Sequence, residues 1–316
     1  MPESKERDSA AARSQYIRAA LYMAAAASFL SMMIVSIRFV ADDLDAPVVV
    51  FFRSIFSIVL FMPLLMRGGF QYFATDKFRV YFVRGIIAVV SMILWYYALA
   101  VTPLAEAVSL SFTAPLFTTV AAIFYLHESV GPRRWTALAI GFLGVLIILQ
   151  PGFAEITRAH VLLLLSSALV AVSLMMVKVL SRTESPEKIV GWLVFLMAPL
   201  SLIPALFVWN WPAPDQYFWL VVIAVGGTGG HVMLARALRL AETSAIMPFD
   251  FLRLPLVAII AYLMFAEKID LWTWIGGAVI FVSTAYIARR ETIVAGRKAE
   301  TSRPTSSAME AGGPGA

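Results

Sequence analysis

Residues 112–149, FTAPLFTTVAAIFYLHESVGPRRWTALAIGFLGVLIIL, read as a faint copy of residues 251–288, FLRLPLVAIIAYLMFAEKIDLWTWIGGAVIFVSTAYIA. Each copy carries a proline in mid-segment (Pro115, Pro255), an acid where the apolar run ends (Glu128, Glu267) and a tryptophan seven residues further on (Trp135, Trp274). Phe112 and Phe251, Glu128 and Glu267, and Trp135 and Trp274 all stand 139 positions apart. Agreement in order and spacing together marks an internal repeat.

The rest of the chain says where such a repeat lives. Of its 316 residues 60% are hydrophobic and 14% charged, with a mean hydropathy of +0.82; soluble domains run at about 45–50% apolar and about 25% charged. A helix needs about 20 mainly apolar residues to cross a bilayer core. Ten stretches qualify, at 17–37, 47–66, 79–100, 104–126, 135–150, 160–180, 188–209, 217–238, 244–266 and 271–288. The expected fold is therefore an all-α polytopic membrane protein of ten transmembrane helices. Five spans per copy is an odd number, so the two five-helix repeats must lie inverted with respect to each other. Inverted repeats around a midplane site are a common transporter architecture.

The divisions that follow are a cytoplasmic head (1–16), a first repeat (17–150), a second repeat (160–290) and a disordered tail (291–316) rich in Gly, Ser, Thr, Pro and Ala. The first apolar stretch is an uncleaved anchor, since nine more spans follow it. Placing both termini in the cytoplasm puts twenty Lys and Arg on that side and three (Arg38, Arg158, Lys268) outside, as positive charge retained during insertion requires. The net charge of +5 reflects this topology and calls for no nucleic-acid partner. Membrane lipids surround the chain, and its oligomeric state is open. Arginine and alanine are abundant, which suggests a GC-rich bacterium and its inner membrane. There is no cysteine, hence no thiol or disulfide chemistry.

At residues 96–149, YYALAVTPLAEAVSLSFTAPLFTTVAAIFYLHESVGPRRWTALAIGFLGVLIIL, and in the weaker copy at 237–290, the chain resembles the EamA domain of the drug/metabolite transporter superfamily. The resemblance covers about residues 17–290. It implies a ten-helix carrier that works by alternating access on a small organic metabolite, with a central cavity lined from both halves and no cofactor. The long GPRRW form is similar to the branch that includes S-adenosylmethionine and riboflavin carriers; other branches export amino acids and related metabolites.

Charges inside a span are costly and face the bundle interior or a water-filled cavity. Asp250 and Arg253, three apart in SAIMPFDFLRLPLV at 244–257, share a helical face and either neutralise each other structurally or line a substrate path. A rise of about 1.5 Å per residue puts Asp250 about 9 Å, Arg253 about 13 Å and His231 about 10 Å from the cytoplasmic end of their spans. A His231–Asp250 contact is thus open to the fold, and His231 is the candidate for a coupled proton, because histidine titrates near neutrality. The run GGTGGH at 226–231 lacks the lysine and Ser/Thr of a phosphate loop and reads as a close helix crossing. Arg53 either snorkels to the outer boundary, meets an anion, or pairs with Glu106. Glu106, Glu128 and Glu267 read as charges at helix ends. Trp95 and Tyr96, with Tyr97, form either a cavity wall or part of an interfacial aromatic belt, which Trp209, Trp211, Trp219, Trp272 and Trp274 also fit. Only His127, His160 and His231 exist, widely spaced, so neither a metal centre nor an enzyme's nucleophile and base can be assembled from sequence. No segment reads as a channel filter.

Overall fold

Proline has no amide hydrogen to give a helix, and two prolines decide where this fold bends. In the computed structural model, which describes residues 2–68, 74–125, 132–150, 155–180, 183–184, 186–240 and 249–301, the chain leaves helical geometry at 112–113, just before Pro115, and at 251–252, just before Pro255. The two breaks stand 139 positions apart (251 − 112). Each is tightened by an i→i−3 bond, Phe112 N to Ser109 O at 3.2 Å and Leu252 N to Phe249 O at 3.2 Å, the 3₁₀ geometry that commonly ends a helix.

Eleven helices are described: α1 (Pro2–Arg38), α2 (Ala46–Gly68), α3 (Phe78–Val101), α4 (Leu104–Ser111), α5 (Ala114–Tyr125), α6 (Pro132–Leu149), α7 (Arg158–Leu180), α8 (Pro186–Phe207), α9 (Gln216–Leu240), α10 (Arg253–Phe265) and α11 (Leu271–Thr301). No strand occurs among the described residues. The stretch expected as one span at 104–126 is two helices, because the break before Pro115 divides it. The helix α11 continues to Thr301, past the boundary at 291 expected for a disordered tail; the Ala, Arg, Lys and Glu that dominate its last turns are strong helix formers. Residues 244–248, Glu128 and residues 302–316 lie outside the described residues.

Six stretches of helix are long and apolar enough to cross a membrane, and four more apolar helices are shorter. Large apolar side chains such as Leu21, Val59, Phe207 and Leu263 are exposed around the bundle, the surface expected of a protein solvated by lipid. The chain is a multi-pass membrane protein.

Helix pairing carries the repeat into three dimensions. The packed pairs include α1 with α9, α3 with α7, α2 with α8, α6 with α11, α5 with α7 and α1 with α10. Exchanging each helix with its counterpart 139 positions away (α1 with α7, α2 with α8, α3 with α9, α5 with α10, α6 with α11) turns α1–α9 into α3–α7 and α5–α7 into α1–α10, and leaves α2–α8 and α6–α11 unchanged. Glycines set the close crossings. A Cβ on Gly226 would stand 2.7 Å from the Phe29 carbonyl oxygen, and one on Gly230 2.7 Å from Leu30 Cγ. The GGTGG run thus packs α9 on α1, as expected. At the α6–α11 crossing, Cβ atoms on Gly144 and Gly276 would stand 2.8 and 2.6 Å from each other's carbonyl oxygens. Small residues permit such approach where lipid supplies no hydrophobic drive.

Candidate functional site

Gly227 faces α2, and its missing side chain leaves room for a guanidinium: a Cβ there would lie 2.6 Å from Arg53 Nη2 and 3.0 Å from Met33 Sδ. Arg53 is 7% exposed. It is held inside the bundle rather than reaching out to the boundary, and its Nη1 donates to Met92 Sδ, a weak acceptor. The pairing with Glu106, one of the alternatives for Arg53, is not made: Glu106 meets His160 instead. The Tyr96 hydroxyl sits beside the guanidinium but completes no hydrogen bond, and Arg53 Nε and Tyr96 Oη are both buried without a partner. A buried polar atom left unpaired costs about 1–3 kcal/mol, more when charged.

His231 lies one turn beyond Gly227 and donates Nδ1–H to the Gly227 carbonyl at 2.6 Å. That bond leaves Nε2 as the free acceptor of the neutral ring. His231 makes no bond to Asp250; the ring turns back along its own helix instead of crossing to the next segment. It is exposed, yet within electrostatic reach of both Arg53 and Arg253.

Asp250 and Arg253 do come together, through Arg253 Nη2 and Asp250 Oδ2 at 3.4 Å, both partly buried. The separation is long for an ion pair. The turn at 251–252 lies between the two residues, so they do not share a regular helix face. Arg253 instead stacks its guanidinium 4.8 Å from the centroid of Phe112, and its Nε is a second buried donor without a partner. Phe112 and Phe251, equivalent residues of the two copies, meet with ring centroids 5.5 Å apart. The two helix breaks therefore face each other, with Arg253 against that contact.

Of the aromatic candidates, Trp95 is half-buried with its ring 5.7 Å from that of Tyr96. Tyr96 belongs to the core. Tyr97 is exposed and donates to Asp45 Oδ1 at 3.3 Å.

One end of the bundle is tied together across the halves. Arg38 pairs with Glu267 at 2.9 Å and also donates to the Leu99 and Thr102 carbonyls, while the second oxygen of Glu267 accepts the Leu104 amide at 2.9 Å. Nearby, Glu106 Oε1 meets His160 Nε2 at 2.7 Å, and Gln216 donates to Asp43 at 2.8 Å. Helices α1, α3 and α6 finish at this end, and α4, α7, α9 and α11 start there. At the opposite end Thr75 donates to Glu184 at 2.9 Å. The Lys188 hydrogen bond, helped by Thr75, holds the Glu184 carboxyl below its usual range. Glu267 is a tie between helix ends, as expected of a boundary acid. The Glu106–His160 pair escaped sequence reasoning: its members are 54 positions apart (160 − 106) in different copies, and nothing local links them. Among the described residues no three His, Cys, Asp or Glu converge as a metal site would require.

Comparison with known proteins places this geometry. The chain is 34% identical to the riboflavin transporter of Vibrio cholerae serotype O1, over 75% of this chain and 80% of the relative. It is 31% identical to that of Brucella anthropi, over 78% and 88%, and 27% identical to the S-adenosylmethionine uptake transporter of Rickettsia felis, over 84% and 90%. A crystal structure of a protein with 18% identity shares the fold, with a TM-score of 0.57 over 86% of this chain and 98% of the other. The EamA-like transporter family matches twice, at residues 17–150 and 157–289, one match for each of the copies whose breaks meet at Phe112 and Phe251. The chain belongs to the EamA-like transporter family.

Proposed function

We propose that this protein is a secondary active carrier in the cytoplasmic (inner) membrane that moves a small, flat, acceptor-rich metabolite of the riboflavin kind by alternating access. Ten spans, formed by the six longer stretches and the four shorter helices, make two inverted five-helix repeats with both termini in the cytoplasm. The opposed running of α1 and α7 from the Glu267 end supports the inversion, and the distribution of Lys and Arg makes that end the outer one. The outer end is then shut, and the space that exposes His231 opens toward the cytoplasm.

The observation that carries the substrate reading is the pair of buried guanidinium Nε donors without partners, on Arg53 and Arg253. With Tyr96 Oη they form a donor-rich site bordered by the Phe112 ring, and His231 Nε2 adds an acceptor. An isoalloxazine offers carbonyl oxygens and ring nitrogens to such donors and a face to an aromatic ring, and charge-assisted hydrogen bonds are the strong ones. The names of the relatives at 34% and 31% identity agree with this. S-adenosylmethionine is the second reading, favoured by the relatives at 27%. Its sulfonium needs an anion, and the acid at the site, Asp250, is already held by Arg253.

Uptake by proteoliposomes of the purified chain tests both. Labelled riboflavin should exchange saturably against internal riboflavin and resist competition by S-adenosylmethionine. Exchange of S-adenosylmethionine without riboflavin reverses the choice of substrate, and exchange of neither overturns the reading.

A further inference from the structure

We propose that Glu106, facing His160, is the binding site of a coupled proton; the proposal rests on the carrier reading above. The two residues sit in the first turns of α4 and α7, one from each repeat, at the shut end, with side chains 18% and 12% exposed and 2.7 Å apart. The partners of His160 define its state. Its Nδ1 accepts the Thr157 backbone N–H at 3.0 Å, so Nδ1 carries no hydrogen. The ring is the neutral Nε2–H tautomer, and that hydrogen points at Glu106 Oε1. Glu106 is thus met by a neutral donor, not by an imidazolium. Asp270 is close enough to act on Glu106 and adds negative charge. Glu267 takes the Leu104 amide two residues away, and Arg38 is committed to Glu267. The neighbouring ends of α3 and α6 present Thr102 and Gln150, both uncharged, and Gln150 donates to Asp270 at 3.2 Å.

An anionic Glu106 in this enclosure would be desolvated beside a second carboxylate with one neutral hydrogen bond to offset it, which is costly. A proton on its free oxygen removes the charge and keeps the Nε2–H bond to the other. Opening the outer end would rehydrate Glu106 and remove the need for that proton. Closure and proton binding therefore favour each other, and by linkage the effect is reciprocal. The proton is taken up from the outer side and enclosed as the end shuts.

The outer end can be read without any substrate, which separates failure of this proposal from failure of the carrier reading. A cavity of ≈ 40 Å³ at that end is lined in part by Ala41, Asp45 and Tyr96, and the chain has no native cysteine. In proteoliposomes of Ala41→Cys protein, labelling by an impermeant maleimide is divided by that of Asp215→Cys, an exposed loop position, to cancel thiol ionisation. The normalised rate should fall about fivefold or more as the outside is taken from about pH 8 to about pH 5. Adding Glu106→Gln, which mimics the protonated acid, should leave it low at every pH. Adding His160→Gln, which still offers a donor, should keep a pH dependence. A flat or rising rate with acid, a dependence that survives Glu106→Gln, or one abolished by His160→Gln would each overturn the proposal. If Glu106→Gln does not purify folded, the wild-type slope and His160→Gln still decide it.

Discussion

The two halves share a backbone plan and differ in chemistry. At the second helix break stand Asp250 and Arg253; their counterparts at the first are Ser111 (111 + 139) and Ala114 (114 + 139). His231 answers to Met92 (92 + 139), and it is Met92 that receives the Arg53 hydrogen bond. The breaks, the crossings and the Phe112–Phe251 contact obey the repeat, whereas the ionisable groups between them do not. A carrier that exposes one site alternately to two sides needs two halves able to exchange arrangements, which asks for symmetry of scaffold. A ligand has no such symmetry, so the groups that hold it are free to differ between the copies.

The largest effect should come from breaking the scaffold. Gly226→Val places a branched side chain against the Phe29 carbonyl, where backbone cannot yield as a flexible side chain can. Overpacking costs about 1–3 kcal/mol or more, and a marked loss of monodisperse protein on size-exclusion in detergent is expected. Gly144→Val at the α6–α11 crossing should behave alike, because the repeat makes both crossings structural. A well-folded Gly226→Val protein would break the division between scaffold and site.

Next comes the asymmetric site. Arg53→Met replaces a buried, incompletely bonded cation by an apolar chain of similar length, a change often neutral for stability or favourable. The thermal midpoint should hold while riboflavin exchange falls about 10- to 100-fold, the worth of a hydrogen bond to a charged donor at about 1.5–3 kcal/mol. Unchanged exchange would remove Arg53 from the site.

His231→Gln should lower the rate of exchange and leave its pH profile standing, because Glu106 carries the coupled proton; a profile flattened between about pH 5 and about pH 8 would give that proton to the His231 ring instead. The smallest effect belongs to Glu184→Gln at the opposite end. The Glu184 carboxyl lies below its usual range through Lys188 and Thr75, so any stability it contributes is present above its unfolded-state pKa and is lost as acid titrates the folded form. A single pair of this spacing is worth little, and the thermal midpoint near neutral pH should barely move.

Much of the scaffold was legible in the chain. Pro115 and Pro255 stand out as landmarks of the repeat, although 104–126 reads as a single span and the break before Pro115 appears only in the fold; Gly226 to Gly230 mark a crossing because a missing Cβ is a local fact. The site was legible only in outline. Asp250 and Arg253 stand out as charges in an apolar run, but the break at 251–252 that lengthens their pair arises from Pro255 and the packing of Phe251 on Phe112. The depth of Arg53 depends on the vacancy at Gly227, on a helix 174 positions further on (227 − 53). Glu106 and His160 each read as an ordinary helix-end group until the two halves are folded together.

The central claim is that Arg253 and Asp250 form part of a substrate site rather than a brace. Removing one member of a buried pair typically costs about 3–5 kcal/mol, so Arg253→Gln alone would lose stability on either view. The direct measurement is riboflavin exchange by the double variant Asp250→Asn, Arg253→Gln, reconstituted at the same folded amount as wild type. The predicted result is recovered expression and thermal stability with exchange still lost. Exchange at the wild-type rate by the double variant would contradict it.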